Sequence, residues 1–228
     1  MNGTKLMRSP QALDNKENVC KVVVLGTPGV GKTALTVRFI TKRFIGEYSP
    51  TLESVYRYMS GPAEDDDIRM DILDTAGQIT SNWNEGYALW GDCFVLVYSI
   101  TEHTSFDDVI RLRRQLESTR RSAGLVCALV GNKADLVYDR QVTAVQGQEL
   151  ANEMGCRFYE VSACDWNQLP QVSEIFTDLY NVWRRTKTFR DVRQRKSSSS
   201  TKFRQAIQKV ISGKSPSGKK TANNTGVG

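Results

Sequence analysis

Fifteen consecutive residues near the N-terminus decide the fold, and they read Val19-Cys20-Lys21-Val22-Val23-Val24-Leu25-Gly26-Thr27-Pro28-Gly29-Val30-Gly31-Lys32-Thr33. Val19–Leu25 is a β-branched run without clear alternation, which is typical of a central strand buried on both faces. Glycines then allow a tight turn. Lys32–Thr41 has helical spacing of its apolar residues. The stretch therefore predicts a strand, a glycine-rich loop and a helix in immediate succession.

The loop Gly26–Thr33 matches the pattern G-x-x-x-x-G-K-[ST]. Its glycines let backbone N–H groups turn towards phosphate oxygens, and the helix that follows adds its positive N-terminal end. We expect Lys32 to reach β- and γ-phosphates and the Thr33 hydroxyl to be a hard oxygen ligand for Mg²⁺. The alternative is a chance match in a turn, which the strand-loop-helix context disfavours. The loop indicates a nucleoside triphosphate without naming the base.

A second motif is Asp71-Ile72-Leu73-Asp74-Thr75-Ala76-Gly77-Gln78. A carboxylate at the end of an apolar strand can lie near Mg²⁺. Asp74 ends the strand, so we expect it to serve the metal, whereas Asp71 is expected to be an ordinary solvated residue. Gly77 leaves a backbone N–H free for a γ-phosphate.

A third motif, Asn132-Lys133-Ala134-Asp135, follows the apolar run Leu125–Val130. A carboxylate can accept hydrogen bonds from both N1–H and the exocyclic amine of guanine, and adenine offers no such pair of donors. A polar turn after a strand is the alternative interpretation. The order of the three motifs favours selection of guanine.

Strands and helices alternate through the rest of the chain. Ser54–Met59 and Ile68–Leu73 are separated by a solvated turn and predict an antiparallel hairpin. The later elements are strand Cys93–Ile100, helix Ser105–Arg121, strand Leu125–Val130, helix Thr143–Met154, strand Arg157–Val161 and helix Leu169–Arg185. This pattern predicts an α/β fold with a mostly parallel six-stranded sheet, one antiparallel strand and about five helices on both faces. The predicted domain covers residues 19–186, after a flexible leader over residues 1–18.

The net charge of +6 is unevenly distributed. From Arg184 onward, 13 Lys or Arg residues accompany one acid, whereas residues 1–183 hold 18 basic and 24 acidic side chains. Residues 187–228 are expected to be mostly disordered, with a basic amphipathic helix over residues 202–212. Three interpretations of this tail stay open: a solvated segment, weak contact with anionic membrane, or binding to calmodulin, nucleic acid or import factors.

Several classes of protein are disfavoured. No apolar run is long enough to cross a bilayer, and Met1–Asn18 lacks the apolar core of a signal peptide. Five scattered cysteines and one histidine argue for buried thiols and against a zinc site. No cysteine follows Cys164, so a lipid anchor of the prenyl type is not expected. We expect a monomer in the cytoplasm, also in the nucleus or transiently at a membrane surface.

Together with a fourth segment, Ser162-Ala163-Cys164, these motifs resemble the Ras superfamily of small GTPases over about residues 19–186. Leu35–Ile45, Pro50–Ser54 and Arg140–Val142 are similar to the branch of Ras-related and estrogen-regulated growth inhibitors. The resemblance implies a P-loop G domain that binds GTP and GDP with Mg²⁺ and slowly hydrolyses GTP as a signalling switch. It also implies an effector, an exchange factor and a GTPase-activating protein, which the sequence does not identify.

The resemblance assigns roles to individual residues. Thr33 and Thr51 would ligate Mg²⁺, with Asp74 holding it through water, and Gln78 would orient the attacking water. Tyr48–Ser54 would form the first switch, and Gly77 with the segment after it the second. Phe44 would lie against the guanine ring, and the Ala163 N–H would donate to its O6. The implied nucleotide-binding residues are Gly26, Gly29, Val30, Gly31, Lys32, Thr33, Ala34, Phe44, Tyr48, Thr51, Gly77, Asn132, Lys133, Asp135, Ser162, Ala163 and Cys164.

Two positions depart from the Ras pattern. Pro28 stands where Ras has glycine, and Ser49 replaces the usual acid of the first switch. We therefore expect slow but genuine intrinsic hydrolysis and an effector choice that differs from that of Ras. Whether activating proteins accelerate the hydrolysis stays open at this point. A nucleotide-locked binding scaffold is the alternative that Pro28 favours. An ATP-using P-loop enzyme is a further alternative, which Asn132–Asp135 disfavours.

Overall fold

The computed structural model describes residues 19–45, 53–60, 67–77, 83–120 and 124–189. The chain divides into two compact units, Met1–Arg184 and Arg185–Gly228, and the described part of the second, residues 185–189, is helical. The elements of the first unit are β1 (Cys20–Leu25), α1 (Lys32–Thr41), β2 (Ser54–Ser60), β3 (Ile68–Asp74), α2 (Glu85–Trp90), β4 (Cys93–Ser99), α3 (His103–Arg120), β5 (Val126–Asn132), α4 (Ala144–Met154), β6 (Arg157–Glu160) and α5 (from residue 169).

The six strands form one sheet in the order β2-β3-β1-β4-β5-β6. The β2–β3 pair is antiparallel, and the other four pairs are parallel. Within the described ranges, the fold matches the predicted α/β architecture of six strands, one of them antiparallel, and five helices. None of the described helices is both long and apolar enough to cross a bilayer.

The central strand β1 is buried on both faces, which explains why its sequence does not alternate. Val22 and Val24 face one apolar cluster, and Val23 and Leu25 face the other. The first cluster includes side chains of α1 and α5, among them Phe39 and Phe176, whose rings stack 4.3 Å apart. Helices α2, α3 and α4 supply the second cluster. Helices therefore cover both faces of the sheet.

The helix α2 was not located from the sequence. It has six residues, too few for a helical period to emerge, and its N-cap Asn84 accepts a hydrogen bond from the Gly86 N–H at 2.9 Å. The strand β5 also runs two residues beyond its predicted end, because the ladder with β4 continues to the pair Ser99 and Asn132. Asn132, the last residue of β5, is therefore fixed by the ladder at the carboxyl end of the strand.

The hydroxyl of Tyr98 allows a test of how an unpaired polar group in the core affects stability. It is buried and has no hydrogen-bond partner among the described residues. It fills the space beside Gly131, where a Cβ would lie 2.7 Å from the oxygen. Because an unpaired buried hydroxyl costs about 1–3 kcal/mol, we expect Tyr98→Phe to raise the melting temperature by about 2–12 °C.

The matched control is Tyr180→Phe. The Tyr180 hydroxyl is also largely buried but donates to the Asp67 carbonyl at 3.0 Å, so its removal should lower stability by about 1 kcal/mol. Thermal unfolding of both variants measures the contrast. Equal losses from both substitutions would contradict the assignment of Tyr98 as unsatisfied.

Candidate functional site

A cavity of about 450 Å³ opens beyond the carboxyl ends of the parallel strands. Open α/β sheets bind ligands in this position, where the loops after several strands converge. Loops after β1, β3, β5 and β6 supply its walls. The lining residues are Pro28, Gly29, Gly31, Lys32, Thr33, Ala34, Phe44, Thr75, Gly77, Asn132, Lys133, Asp135, Leu136, Ser162, Ala163 and Cys164.

The loop between β1 and α1 requires glycine where its backbone is left-handed. Gly31 has φ 94° and lies so close to Asn132 that a Cβ would stand 2.2 Å from its Nδ2. Gly26 and Val30, also expected at the site, do not line the cavity. Val30 is fully buried in the core, and a Cβ on Gly26 would lie 2.3 Å from the Val97 carbonyl oxygen. Gly26 and Val30 therefore support the conformation of the loop through core packing and do not line the cavity.

Lys32 brings a cation into the cavity wall at high electrostatic cost. It is 6 % exposed, and its Nζ donates to the Thr27 carbonyl at 3.0 Å. Burial lowers its pKa to about 8, although the Asp74 carboxylate opposes this shift. A buried ammonium with so little compensation provides a strong site for an anion.

Asp74 ends β3 and is buried beside the same loop. Burial raises the pKa of this carboxyl, while a hydrogen bond from Thr33 and the charge of Lys32 oppose the shift. Oδ1 has no hydrogen-bond partner within the described ranges. An unsatisfied carboxylate oxygen next to a threonine hydroxyl fits the oxygen ligands that Mg²⁺ prefers.

Asp71 differs from Asp74 in its surroundings. Its Oδ1 accepts from the Arg57 Nε at 3.1 Å, across the β2–β3 pair. It therefore makes a surface ion pair and does not line the cavity.

Asn132 ties three loops together. Its Nδ2 donates to the Val30 carbonyl at 2.8 Å, and its Oδ1 accepts the Ala163 N–H at 3.1 Å. Asn132 also lines the cavity, and its side chain holds the loops after β1, β5 and β6 in one arrangement.

Asp135, by contrast, is exposed at the cavity wall, where the Cys164 thiol lies 3.4 Å from its Oδ2. Phe44, which is 44 % exposed, presents an aromatic surface to the same cavity. The Ser162 N–H donates to Gln168 Oε1 at 2.7 Å and so holds the third loop in place. Carboxylate and aromatic groups of the kind that bind a base thus share the cavity with Lys32.

Sequence reasoning did not single out Thr75 and Leu136 as lining residues. The Thr75 hydroxyl donates to the Val24 carbonyl at 2.8 Å and joins the ends of β3 and β1. Its position directly after Asp74 was a usable signal. Leu136 directly follows the third motif, but an exposed leucine carries no chemical signal of its own.

Three expected site residues, Tyr48, Thr51 and Gln78, lie outside the described residues, as do Ser49, the leader 1–18 and the tail from residue 190 with its expected helix. Gly77, next to Gln78, is described. A Cβ on Gly77 would lie 2.4 Å from the Pro28 backbone nitrogen and 2.8 Å from the Lys32 Nζ. Gly77, at the start of the expected second switch, therefore packs against Pro28, which stands where Ras has glycine.

The sequence of this chain is similar to the sequences of known proteins. A profile of the Ras family matches residues 21–185. The human and bovine Ras-related and estrogen-regulated growth inhibitors are each 45 % identical to this chain over 191 residues, covering 84 % of it and 94 % of their own length. The Ras-like protein rasS of Dictyostelium discoideum is 38 % identical over 83 % of the chain and 94 % of its own. The chain belongs to the Ras family of small GTPases, in the branch of the Ras-related and estrogen-regulated growth inhibitors.

Proposed function

We propose that this GTPase binds GTP and GDP with Mg²⁺, slowly hydrolyses GTP to GDP and phosphate, and acts as a signalling switch. One observation carries the proposal: the same 450 Å³ cavity is lined by Lys32 and Thr33, which suit phosphates and a metal, and by Asp135 and Phe44, which suit guanine. A cavity of this volume is in the usual range for small-molecule sites.

The phosphate end of the site follows from charge. Phosphate oxygens beside Lys32 would replace the solvation that burial removes and favour its charged form. Thr33 and Asp74 would hold Mg²⁺ together with Thr51. When bound, Mg²⁺ neutralises negative charge on the β- and γ-phosphates. The Gly77 backbone lies close enough to Lys32 Nζ for both to contact one phosphate group.

Selection of guanine is assigned to Asp135. Its carboxylate would accept from N1–H and from the exocyclic amine, with Phe44 against the ring. The Ala163 N–H already donates to Asn132 Oδ1, so donation to guanine O6 would be shared between two acceptors. Asn132 and Ser162 would position the loops, and Lys133 and Cys164 complete the wall.

Slow hydrolysis is proposed because the sequences of the two expected switches, Tyr48–Ser54 and the residues directly after Gly77, contain no arginine that could assist Gln78. Intrinsic rates of this class are on the order of 10⁻⁴ per second. Pro28 packs against Gly77, directly before Gln78, and so adds a rigid neighbour to the segment that must order around the γ-phosphate. This contact also favours a weak response to activating proteins.

Two measurements test the proposed function. Purified protein should retain labelled GTP in the presence of excess ATP, because adenine lacks the donor pair that Asp135 accepts. In single turnover it should release phosphate slowly, and Gln78→Leu should abolish that release with nucleotide binding retained. Displacement by ATP would reject guanine selection, and release no faster than from Gln78→Leu would reject the enzyme.

Family membership implies exchange factors and activating proteins in general. For the basic tail we propose weak contact with anionic membrane, supported by its 13 Lys or Arg residues from Arg184 onward. Co-sedimentation with phosphatidylserine vesicles at physiological salt tests this. A truncation after Thr188 should abolish the binding, and equal binding by both forms would contradict it.

A further inference from the structure

Two cysteines lie side by side at the amino ends of neighbouring strands, whereas the nucleotide cavity lies beyond the carboxyl ends. Cys127 is in β5, and Cys156 directly precedes β6. The strands β5 and β6 are parallel, with Ala128 opposite Arg157. Cys127 and Cys156 each precede those residues by one position, so their backbones are adjacent at the amino ends of the two strands. Neighbouring strands lie about 4.7–4.9 Å apart. That separation is within the range of Cα distances that a disulfide can bridge.

An arginine contacts only one thiol of this pair among the described contacts. Nη1 of Arg113, on α3, donates to Cys127 Sγ at 2.7 Å, while its Nε donates to Glu117 at 2.7 Å. A guanidinium at this distance stabilises a thiolate. The two members of the pair therefore have different electrostatic surroundings.

The pKa values follow this asymmetry. A hydrogen bond from Cys156, together with the Arg113 guanidinium, lowers the pKa of Cys127 against the opposing effects of burial and of Glu117. The same hydrogen bond, together with burial, raises the pKa of Cys156. One sulfur thus has the character of a nucleophile, and the other that of a protonated partner able to react with it next.

Exposure differs between the two members of the pair. Cys156 is half-buried, whereas Cys127 is 7 % exposed and packs in the second cluster. By comparison, the sulfurs of Cys20 and Cys93 lie 3.6 Å apart, but both residues are fully buried in the core.

We propose that Cys127 and Cys156 form a peroxide-sensitive thiol pair that closes to an intrachain disulfide. The Cys127 thiolate attacks one peroxide oxygen, the O–O bond breaks, and sulfenic acid and hydroxide form. The Cys156 sulfur then attacks the Cys127 sulfur, the S–O bond breaks, and water leaves with the Cys156 proton. The proton that Cys127 first released neutralises the hydroxide. Two thiols are oxidised by two electrons, and one peroxide is reduced to two waters.

The test uses the reduced full-length protein and hydrogen peroxide. After a short exposure and quenching with an alkylating reagent, non-reducing peptide mapping should show a Cys127–Cys156 disulfide that dithiothreitol reverses. Cys20 and Cys93 should remain reduced. A Cys20–Cys93 disulfide formed first, or a reduced Cys127 at a peroxide dose that oxidises the exposed Cys164, would overturn the proposal.

Variants test the parts of the pair separately. Arg113→Gln should slow oxidation of Cys127, by about tenfold for each unit by which its pKa rises at pH below that pKa. Arg111→Gln removes an exposed arginine of the same helix that pairs with Asp108, and it should leave the rate unchanged. Cys156→Ser should stop the reaction at a sulfenic acid on Cys127 that dimedone traps. Equal rates in the two arginine variants would remove Arg113 from the proposal, and absence of a dimedone adduct would overturn the order of steps.

Discussion

Asp135→Asn should weaken GTP binding by about 10²–10⁴-fold. The carboxylate is proposed to accept two hydrogen bonds from guanine, and each such bond to a charged group is worth about 1.5–3 kcal/mol. An amide keeps one acceptor but places a donor against the exocyclic amine. Xanthine carries a carbonyl at that position, so the variant should bind xanthosine triphosphate more tightly than GTP.

Equilibrium binding of fluorescent GTP and xanthosine triphosphate measures this exchange of preference. The matched control is Asp139→Asn, which removes the same charge from an exposed residue that does not line the cavity. It should leave both affinities within about twofold, since exposed charges contribute little. If Asp135→Asn bound GTP as tightly as the parent, or if Asp139→Asn were equally impaired, guanine selection by Asp135 would be refuted.

Gly31→Ala should lower the stability of the protein by about 3 kcal/mol, or about 6–12 °C in melting temperature. The backbone of Gly31 is left-handed, with φ 94° and ψ 29°, which costs a residue with a Cβ about 1–2 kcal/mol. The new Cβ would also stand 2.2 Å from Asn132 Nδ2 and displace its hydrogen bond to the Val30 carbonyl. An unpaired buried group adds about 1–3 kcal/mol.

The same loop contains a control for the strain alone. Gly29 is left-handed as well, with φ 80°, but a Cβ there meets no other described atom within 4 Å. Gly29→Ala should therefore cost about 1–2 kcal/mol, and thermal unfolding should separate the two variants clearly. Equal losses would show that contact with Asn132 is unimportant.

A double-mutant cycle with Asn132→Ala isolates that contact. Because the clash needs the Asn132 side chain, Gly31→Ala should cost less in the Asn132→Ala background than in the parent. Strict additivity of the two losses would mean that the alanine acts through backbone strain only.

Much of the fold could be predicted because its signals are local. An uninterrupted apolar run such as Val22–Leu25, with three β-branched valines, is typical of a buried central strand. The alternation of strands and helices after Cys93 predicts a parallel sheet. The short helix α2 could not be found in this way. Its six residues span less than two turns, so packing of Tyr87 and Ala88 on the second cluster determines it more than any pattern does.

By itself, the sequence predicted the loop that we propose cradles phosphates and the acid that we propose selects guanine, because both predictions depend on residue type and spacing within a few positions. Only the tertiary structure decided the roles that depend on distant neighbours. Asn132 connects loops because its Nδ2 donates to the carbonyl oxygen of Val30, 102 positions away in the chain, at 2.8 Å. Burial lowered the pKa of Lys32, and β-sheet register set Cys127 beside Cys156. Burial, register and long-range contacts arise from folding, so a linear motif cannot contain them.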